Sequence, residues 1–304
     1  MGELGQDMGN KHPSTAADVI GKYVADQVHV IQEREPQVRV DHPDSVHKMR
    51  VATRRLSSTL RTFQDVMDTQ RTDPLREEIK WLGEMLGGPR DAEVLKDRLG
   101  ESLEDLPPEA ILGPVRERLT NELDARHAQA HAELLEALDS RRYRDLSDAL
   151  HDLVDHPPFL PEANHAPRKT LAPLMKAATQ RVTRRWDAAQ CAPEMQRAAL
   201  AHEARKKAKA ARYAWEAVAD VFPGGSDSAE AWEAVTEVLG TAQDSVVARE
   251  RLTELAHVAE KSGEQTFTYG VLYARELTHQ GDAHESADAA IVAAVKASQT
   301  ATGR

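Results

Sequence analysis

The sequence predicts an all-α fold. Alanine, the strongest helix former, supplies 46 of the 304 residues, whereas aromatic residues make up only 4%, and strands draw on aromatic and β-branched side chains. Apolar positions recur three and four residues apart over long stretches, as at Leu112, Val115, Leu119 and Leu123, which is the spacing of one helix face. No stretch alternates as a half-buried strand does.

The elements follow in order. A first helix is expected over 15–34, ended by Pro36. A second starts behind Pro43 and Asp44, with the aspartate as N-cap, and reaches about Met67. A third covers 74–86 and is closed by Gly87-Gly88-Pro89, after which Asp91 caps a short helix ending near Leu99. Helices over 109–139 and 142–154 come next. Pro157, Pro158, Pro161 and Pro167 mark 156–167 as a linker. The pattern resumes over 168–189, 194–221, 228–239, 244–262 and 266–279, and 281–304 reads as a C-terminal helix or tail. Residues 1–13 read as a polar N-terminal tail.

An internal repeat runs through this order. His47, Arg50 and Arg54 match His202, Arg205 and Lys209 at an offset of 155, and Leu86-Gly87 with Asp91 matches Leu239-Gly240 with Asp244 at an offset of 153. The second match also has a purely structural reading, a glycine ending one helix and an aspartate capping the next. The expectation is two similar antiparallel helical bundles, 14–155 and 168–280, related by pseudo-twofold symmetry, with their basic helices facing each other.

The length suits one large or two medium domains, and 40% hydrophobic residues suffice for a core. No run approaches the ~18 apolar residues of a membrane span, and the N-terminus lacks the apolar stretch of a signal peptide. Cys191 stands alone, so no internal disulfide or cysteine-rich zinc site can form. These features predict a soluble, cytoplasmic protein without membrane contact.

The net charge of −11 is unevenly spread. Residues 45–64 carry +5 with no acid, 165–186 carry +6 with no acid, and 202–216 carry +3, which leaves −25 for the rest. An acidic body with concentrated basic segments focuses a positive field in a few places.

On a helical wheel, Met49, Ala52, Leu56, Leu60 and Phe63 form one stripe, while His47, Arg50, Arg54 and Arg61 lie within about 60° of one another opposite it. In the second copy Leu200, Ala204, Ala211, Trp215 and Val218 oppose His202, Arg205, Lys206 and Lys209. Solvated helix faces usually mix signs. Cations four and seven residues apart stand about 6 and 10 Å apart along the axis, close enough to repel within a Debye length of about 8 Å. Such a row points to an anion with repeating charge, arginine gripping two phosphate oxygens and lysine adding point charge. The alternatives are a solvated surface or bridges to acids on other helices. His47 and His202, in the first turns, read equally as neutral donors to a phosphate or as structural hydrogen-bonders. Because Arg50, Arg54, Arg205 and Lys209 oppose the apolar stripes, reversing their charge is expected to leave the fold intact.

His47-Lys48-Met49-Arg50-Val51-Ala52-Thr53-Arg54-Arg55-Leu56, with His202-Glu203-Ala204-Arg205-Lys206-Lys207-Ala208-Lys209, resembles the CHAD family of histidine-bearing α-helical domains. The Leu86-Gly87 and Arg90-Asp91 segment and Ser140-Arg141-Arg142-Tyr143 do so too, and the resemblance covers roughly 14–280. It implies symmetric helical bundles and a basic pore that binds inorganic polyphosphate, association with polyphosphate granules, and polyphosphate-metabolising enzymes as partners. The ligands it implies are His47, Lys48, Arg50, Arg54, Arg55 and Arg61, then His202, Arg205, Lys206, Lys209 and Arg212. Arg181, Arg184 and Arg185 could line the same cavity, as could Arg141 and Arg142, which also have a helix-terminus reading. Two departures suggest asymmetry: Arg90 is matched by Gln243, and Arg54-Arg55 by Lys209-Ala210.

Enzyme signatures are missing. There is no phosphate-binding G-x-x-x-x-G-K-[ST], no G-x-G-x-x-G and no G-x-S-x-G. Lys206 stands where a zinc-protease helix starting at His202-Glu203 would need its second histidine. Glu33-Arg34-Glu35-Pro36-Gln37 lacks the lysine of a triphosphate-tunnel strand. His127 and His131, with Asp124 nearby, make a conceivable metal pair, but among 13 histidines such a pair arises easily by chance, so no metal and no cofactor are expected. The expected function is non-catalytic polyphosphate binding. The alternative is a general polyanion or nucleic-acid binder, which the lack of Asn and Gln on the stripes and the single nearby aromatic, Tyr213, disfavours.

Overall fold

Residues 14–303 are described by a computed structural model, and they form an all-α fold whose only β-type pairing is an isolated bridge between Met67 and Phe159. The expected polar tail over 1–13 lies outside the described residues.

Helix α1 (Ala16–Arg39) opens with a capping box: Thr15 Oγ1 accepts from the Asp18 N–H, and the Asp18 carboxylate accepts from the Thr15 N–H. It does not stop before Pro36. Val38 is fully buried, and Arg39 is tied to Glu35 at 2.8 Å, to Asp139 at 2.6 Å and to the Leu138 carbonyl at 3.1 Å. These contacts offset the hydrogen bond that a proline removes. Helix α2 (Ser45–Thr62) does begin behind Asp44, but the aspartate is left-handed (φ 65°) and makes no side-chain cap; its carboxylate holds Lys48 at 2.9 Å instead.

Helices α3 (Thr69–Met85) and α4 (Gly87–Glu104) are separated by Leu86 alone. Asp91 lies inside α4 and caps nothing. A Cβ on Gly88 would come within 2.9 Å of the Ala130 Cβ, so this glycine permits the close approach of α4 to α5 (Val115–Asp139). Helix α6 (Arg141–Asp155) is capped by Ser140, whose Oγ accepts from the Tyr143 N–H. The Pro-rich stretch that follows is fixed to the body: the Asp68 N–H donates to Pro158, the Leu160 N–H to Val66 and the Ala16 N–H to His165, and Ala163 is fully buried.

Helices α7 (Pro167–Gln190) and α8 (Glu194–Val218) match expectation closely. Helix α9 (Gly225–Lys261) runs unbroken through Gly240, merging two predicted helices, and α10 (Phe267–Thr302) absorbs most of the predicted tail. At 37 and 36 residues, this antiparallel pair is roughly 55 Å long.

Two hydrophobic cores share that pair. The larger joins α1, α2, α3 and α6 to α7 and α8, with the Trp232 end of α9 and the Ile291 end of α10. The smaller joins α4 and α5 to the Leu252 end of α9 and the Leu272 end of α10. Near it Arg98 of α4 reaches the buried Glu276 of α10 at 2.6 Å and Ser245 of α9 at 2.6 Å. Both cores therefore draw on chain from either side of the Pro-rich stretch. Within the larger one, the apolar stripes of α2 and α8 are buried as their spacing predicts, from Met49, Leu56 and Leu60 to Ala204, Ala211 and Trp215. Among the described residues, no helix is long and apolar enough to cross a membrane.

Candidate functional site: a cationic cleft between four helices

With their apolar stripes in one core, α2 and α8 present their basic sides beside α3 and α7. The four helices enclose a cleft of about 950 Å³. From α2 it receives Arg54 and Arg61, from α7 Arg181, and from α8 His202, Arg205, Lys206 and Lys209. The structure thus brings seven sequence-predicted residues together.

Pairing sorts these cations. Arg54, Arg61, Arg181 and Lys209 have no acid within 4.0 Å among the described residues, and neither does Lys207, which lines the same cleft. Lys206 is held by Glu203 at 2.8 Å. Burial, and after it repulsion within the row, lower the proton affinities of Lys209, Lys207 and Arg54. Burial, then the charges of Arg205 and Arg54, push Lys209 down to about 7. Burial, then Arg61, lower Lys207, with Arg185 and Arg181 adding to the effect. Arg54 is exposed, and the solvent it meets is that of the cleft; the protein around it, then the Arg50 charge, hold its pKa below the ordinary guanidinium value.

Arg50 and Arg205 are fixed in matching ways. Arg50 Nη1 lies 2.7 Å from Asp91 Oδ1, and Arg205 Nη2 lies 3.7 Å from Asp244 Oδ1, with side chains only 13% and 18% exposed. A Cβ on Gly87 would sit 3.7 Å from Arg50 Nη2, and one on Gly240 would sit 3.5 Å from Arg205 Nη2. Each Leu-Gly pair therefore seats a guanidinium against a helix. The helix-stop reading holds at Gly87, where α3 ends and α4 begins, and is corrected at Gly240, through which α9 continues. The departure between the copies has a counterpart in space. His202 Nδ1 is 2.9 Å from Gln243 Oε1, and at the matching place His47 is half-buried, its pKa lowered by burial and then by Arg90.

Other candidates lie elsewhere. Arg55 Nε pairs with Glu216 at 2.8 Å; burial opposes its charge, but Glu216 and Tyr23 outweigh that and raise its pKa. Arg212 is shared between Glu216 at 2.8 Å and Glu233 at 2.5 Å. Both guanidinium groups stand just under 6 Å from the buried Tyr213 ring, at 5.8 and 5.9 Å from its centroid, within cation–π range. These two arginines join α2, α8 and α9 and do not line the cleft. Lys48 is occupied by Asp44, and it and His47 lie outside the cleft wall. Arg141 pairs with Asp145 at 3.6 Å, and Arg142 binds Glu78 at 2.6 Å while lying 4.3 Å over Trp81. Arg142 thus serves the α3–α6 packing, whereas the Arg141 pair lies within α6 on its exposed side. Arg184 and Arg185 are exposed on α7 beside the cleft without lining it.

Sequence reasoning missed Lys207, Arg76 and Lys80 as lining residues. Lys207 was visible in the basic run of α8, but Arg76 and Lys80 sit among acids on α3, which gives no isolated basic signal. Arg76 is bound to Asp73 at 2.6 Å, and Lys80 lies 3.9 Å from both Glu77 and Glu84, so that wall of the cleft is mixed in sign.

The chain is 35% identical over 284 residues to two uncharacterized proteins of Mycobacterium tuberculosis, Rv2226 of strain H37Rv and MT2285 of strain CDC 1551. The match takes in 92% of this chain and 53% of each relative, so the chain spans about half the length of the curated relatives it matches. Its fold is similar to that of PptA from Streptomyces chartreusis, with a TM-score of 0.73 at 22% identity over 91% of this chain and 99% of that one. It is similar also to the CHAD domain from the plant Ricinus communis, with a TM-score of 0.71 at 24% identity over 94% and 95%. Residues 22–253 match the CHAD domain family, to which this chain belongs.

Proposed function

We propose that the cleft binds inorganic polyphosphate and does so without catalysis. The observation that carries this reading is the set of acid-free cations, Arg54, Arg61, Arg181, Lys207 and Lys209, drawn from three helices onto one cavity. Isolated surface cations are solvated cheaply, but cations that converge on one cavity without acids to pair with are relieved most by an anion of several charges. Inorganic polyphosphate offers a charge on every unit and no base or sugar to accommodate. Tyr213, the aromatic nearest the cations, reaches the cleft wall but is only 7% exposed, which leaves little ring surface for stacking a base. Membership in the CHAD family supports the same ligand. In a cell, such a binder would accompany polyphosphate granules in the cytoplasm and the enzymes that make or consume the polymer.

The test is competition at about 0.15 M salt, where only close charge arrays hold on. Labelled polyphosphate is bound, then challenged with unlabelled polyphosphate of several lengths, single-stranded DNA, RNA and ATP. Displacement by polyphosphate alone, stronger with longer chains, is the expected result. Equal displacement by nucleic acid would make the cleft a general polyanion site.

A further inference from the structure

Asp41, Glu93 and His127 come from three separate segments: the turn before α2, helix α4 and helix α5. Their donor atoms nevertheless lie within 4.8 Å of one another. His127 Nε2 is 3.3 Å from Glu93 Oε1 and 3.6 Å from Asp41 Oδ1. One ring N–H could serve both carboxylates only as a shared three-centre bond, and both separations are longer than the usual N–H···O range. They suit atoms arranged around a shared centre. A tetrahedral ion with bonds of about 2.0–2.1 Å places neighbouring donors about 3.3–3.4 Å apart.

We propose that Asp41, Glu93 and His127 bind a divalent transition-metal ion of the zinc class, with water completing the shell. The imidazole favours such an ion over calcium or magnesium. The surroundings hold the donors in place. Arg90 Nη1 takes the other Glu93 oxygen, Oε2, at 3.0 Å and so directs Oε1 toward His127. His131 stacks on His127, with ring centroids 6.0 Å apart and planes within 7°. Its Nε2 lies 2.8 Å from the Val38 carbonyl, so that nitrogen carries the hydrogen and donates it there. His131 is thus a positioning residue, not a ligand. Asp124, the acid that sequence places beside these histidines, pairs with Lys96 at 2.5 Å instead. An ion here would fasten α4 and α5 to the turn leading into α2. It lies outside the cationic cleft and does not depend on what the cleft binds.

The experiment uses the full chain, freed of metal with a chelator and then titrated with zinc chloride alone by calorimetry, with melting followed in parallel. The wild type should take up one tight equivalent of zinc and melt at a higher temperature with it. His127→Ala and Glu93→Gln should each weaken that equivalent at least tenfold while keeping the metal-free circular dichroism of the wild type. His131→Ala should weaken it less than His127→Ala does. Glu93→Gln preserves shape, so it carries the test if His127→Ala fails to fold. Wild-type protein that takes up no zinc, or a Glu93→Gln variant that binds it as tightly as wild type, would overturn the assignment.

Discussion

Glu216 Oε2 lies 2.8 Å from Arg55 Nε, and this contact separates the cations that hold the fold together from those that face the cleft. Through its other oxygen Glu216 also holds Arg212 at 2.8 Å, and it accepts from the Tyr23 hydroxyl at 3.1 Å. One carboxylate on α8 thereby neutralises two arginines that sequence alone places in the ligand set, and it ties α1 to α2 and α8. Glu216→Gln leaves the partly buried Arg55 without its acid and Arg212 with Glu233 alone, which should cost about 1.5–3 kcal/mol. Urea denaturation should show that loss, with polyphosphate affinity within about twofold of wild type. An affinity that collapses in a variant still fully folded would mean that Arg55 and Arg212 serve the ligand after all.

The two kinds of glycine contact give opposite predictions. At Gly240 a methyl group would meet Arg205 Nη2 at 3.5 Å, an ordinary contact. Gly240→Ala should therefore stabilise α9 by about 0.5–1 kcal/mol through helix propensity. At Gly88 a methyl group would meet Ala130 Cβ at 2.9 Å. There alanine must push α4 from α5 and should cost about 1–3 kcal/mol. Melting temperatures of the two variants decide this; a shift in the same direction for both would contradict the packing described.

How much was legible follows from where the information lies. Helix periodicity is local, so the apolar stripes of α2 and α8 and the existence of the elements could be read directly. The basic runs around Arg54 and Lys209 were equally local, and they marked two walls of the cleft. Partners were not legible. Nothing in the sequence near Arg55 says that Glu216, far along the chain, will meet it, nor that Asp91 turns to Arg50 instead of capping a helix. Gly87 and Gly240 look like helix stops because stopping is what most glycines at such positions do; α3 does end before Gly87, but packing of α9 along α8 and α10 carries the helix through Gly240. Pro36 misled for a related reason, since burial of Val38 and the ties of Arg39 come from other helices.

Lys209, with its pKa held near 7, makes binding depend on pH. The unfolded chain keeps this lysine protonated to about 10.5, so between about 7 and 10.5 the unfolded state binds the extra proton. Lys209 therefore makes the empty fold more stable as pH rises through that window, and below 7 its cost is fully present. A bound polyanion favours the charged form, so ligand uptake near neutral pH carries a proton with it. Polyphosphate affinity should fall as pH rises from 6 to 9, and Lys209→Arg should bind with a flatter profile, because its guanidinium stays charged. Equal pH slopes for the two proteins would remove Lys209 from the site.

Salt dependence counts the contacts. If the coefficient for single-stranded nucleic acids carries over, five engaged cations give a slope of log affinity against log salt of about −3.5, and removing one lessens it by about 0.7. Titrations of wild type and Arg181→Gln between 0.05 and 0.3 M salt, taken as roughly the range over which such slopes are linear, should show that difference. Identical slopes would place Arg181 outside the contact set.

In the proposed complex the polyanion sits in the cleft between α2, α3, α7 and α8. Arg61 and Lys207 test this most directly. Both line the cleft, Arg61 from α2 and Lys207 from α8, and the Arg61 charge lowers the Lys207 proton affinity after burial does. Neither pairs with an acid among the described residues, and reversing them disturbs neither the Glu216 ties nor the Arg50 and Arg205 contacts. The measurement is polyphosphate affinity of the Arg61→Glu, Lys207→Glu double variant, alongside Arg141→Glu as an exposed control away from the cleft. The double variant should keep wild-type circular dichroism and lose on the order of 100-fold in affinity, while the control binds as wild type. A folded double variant with wild-type affinity would place the ligand elsewhere and contradict the central claim.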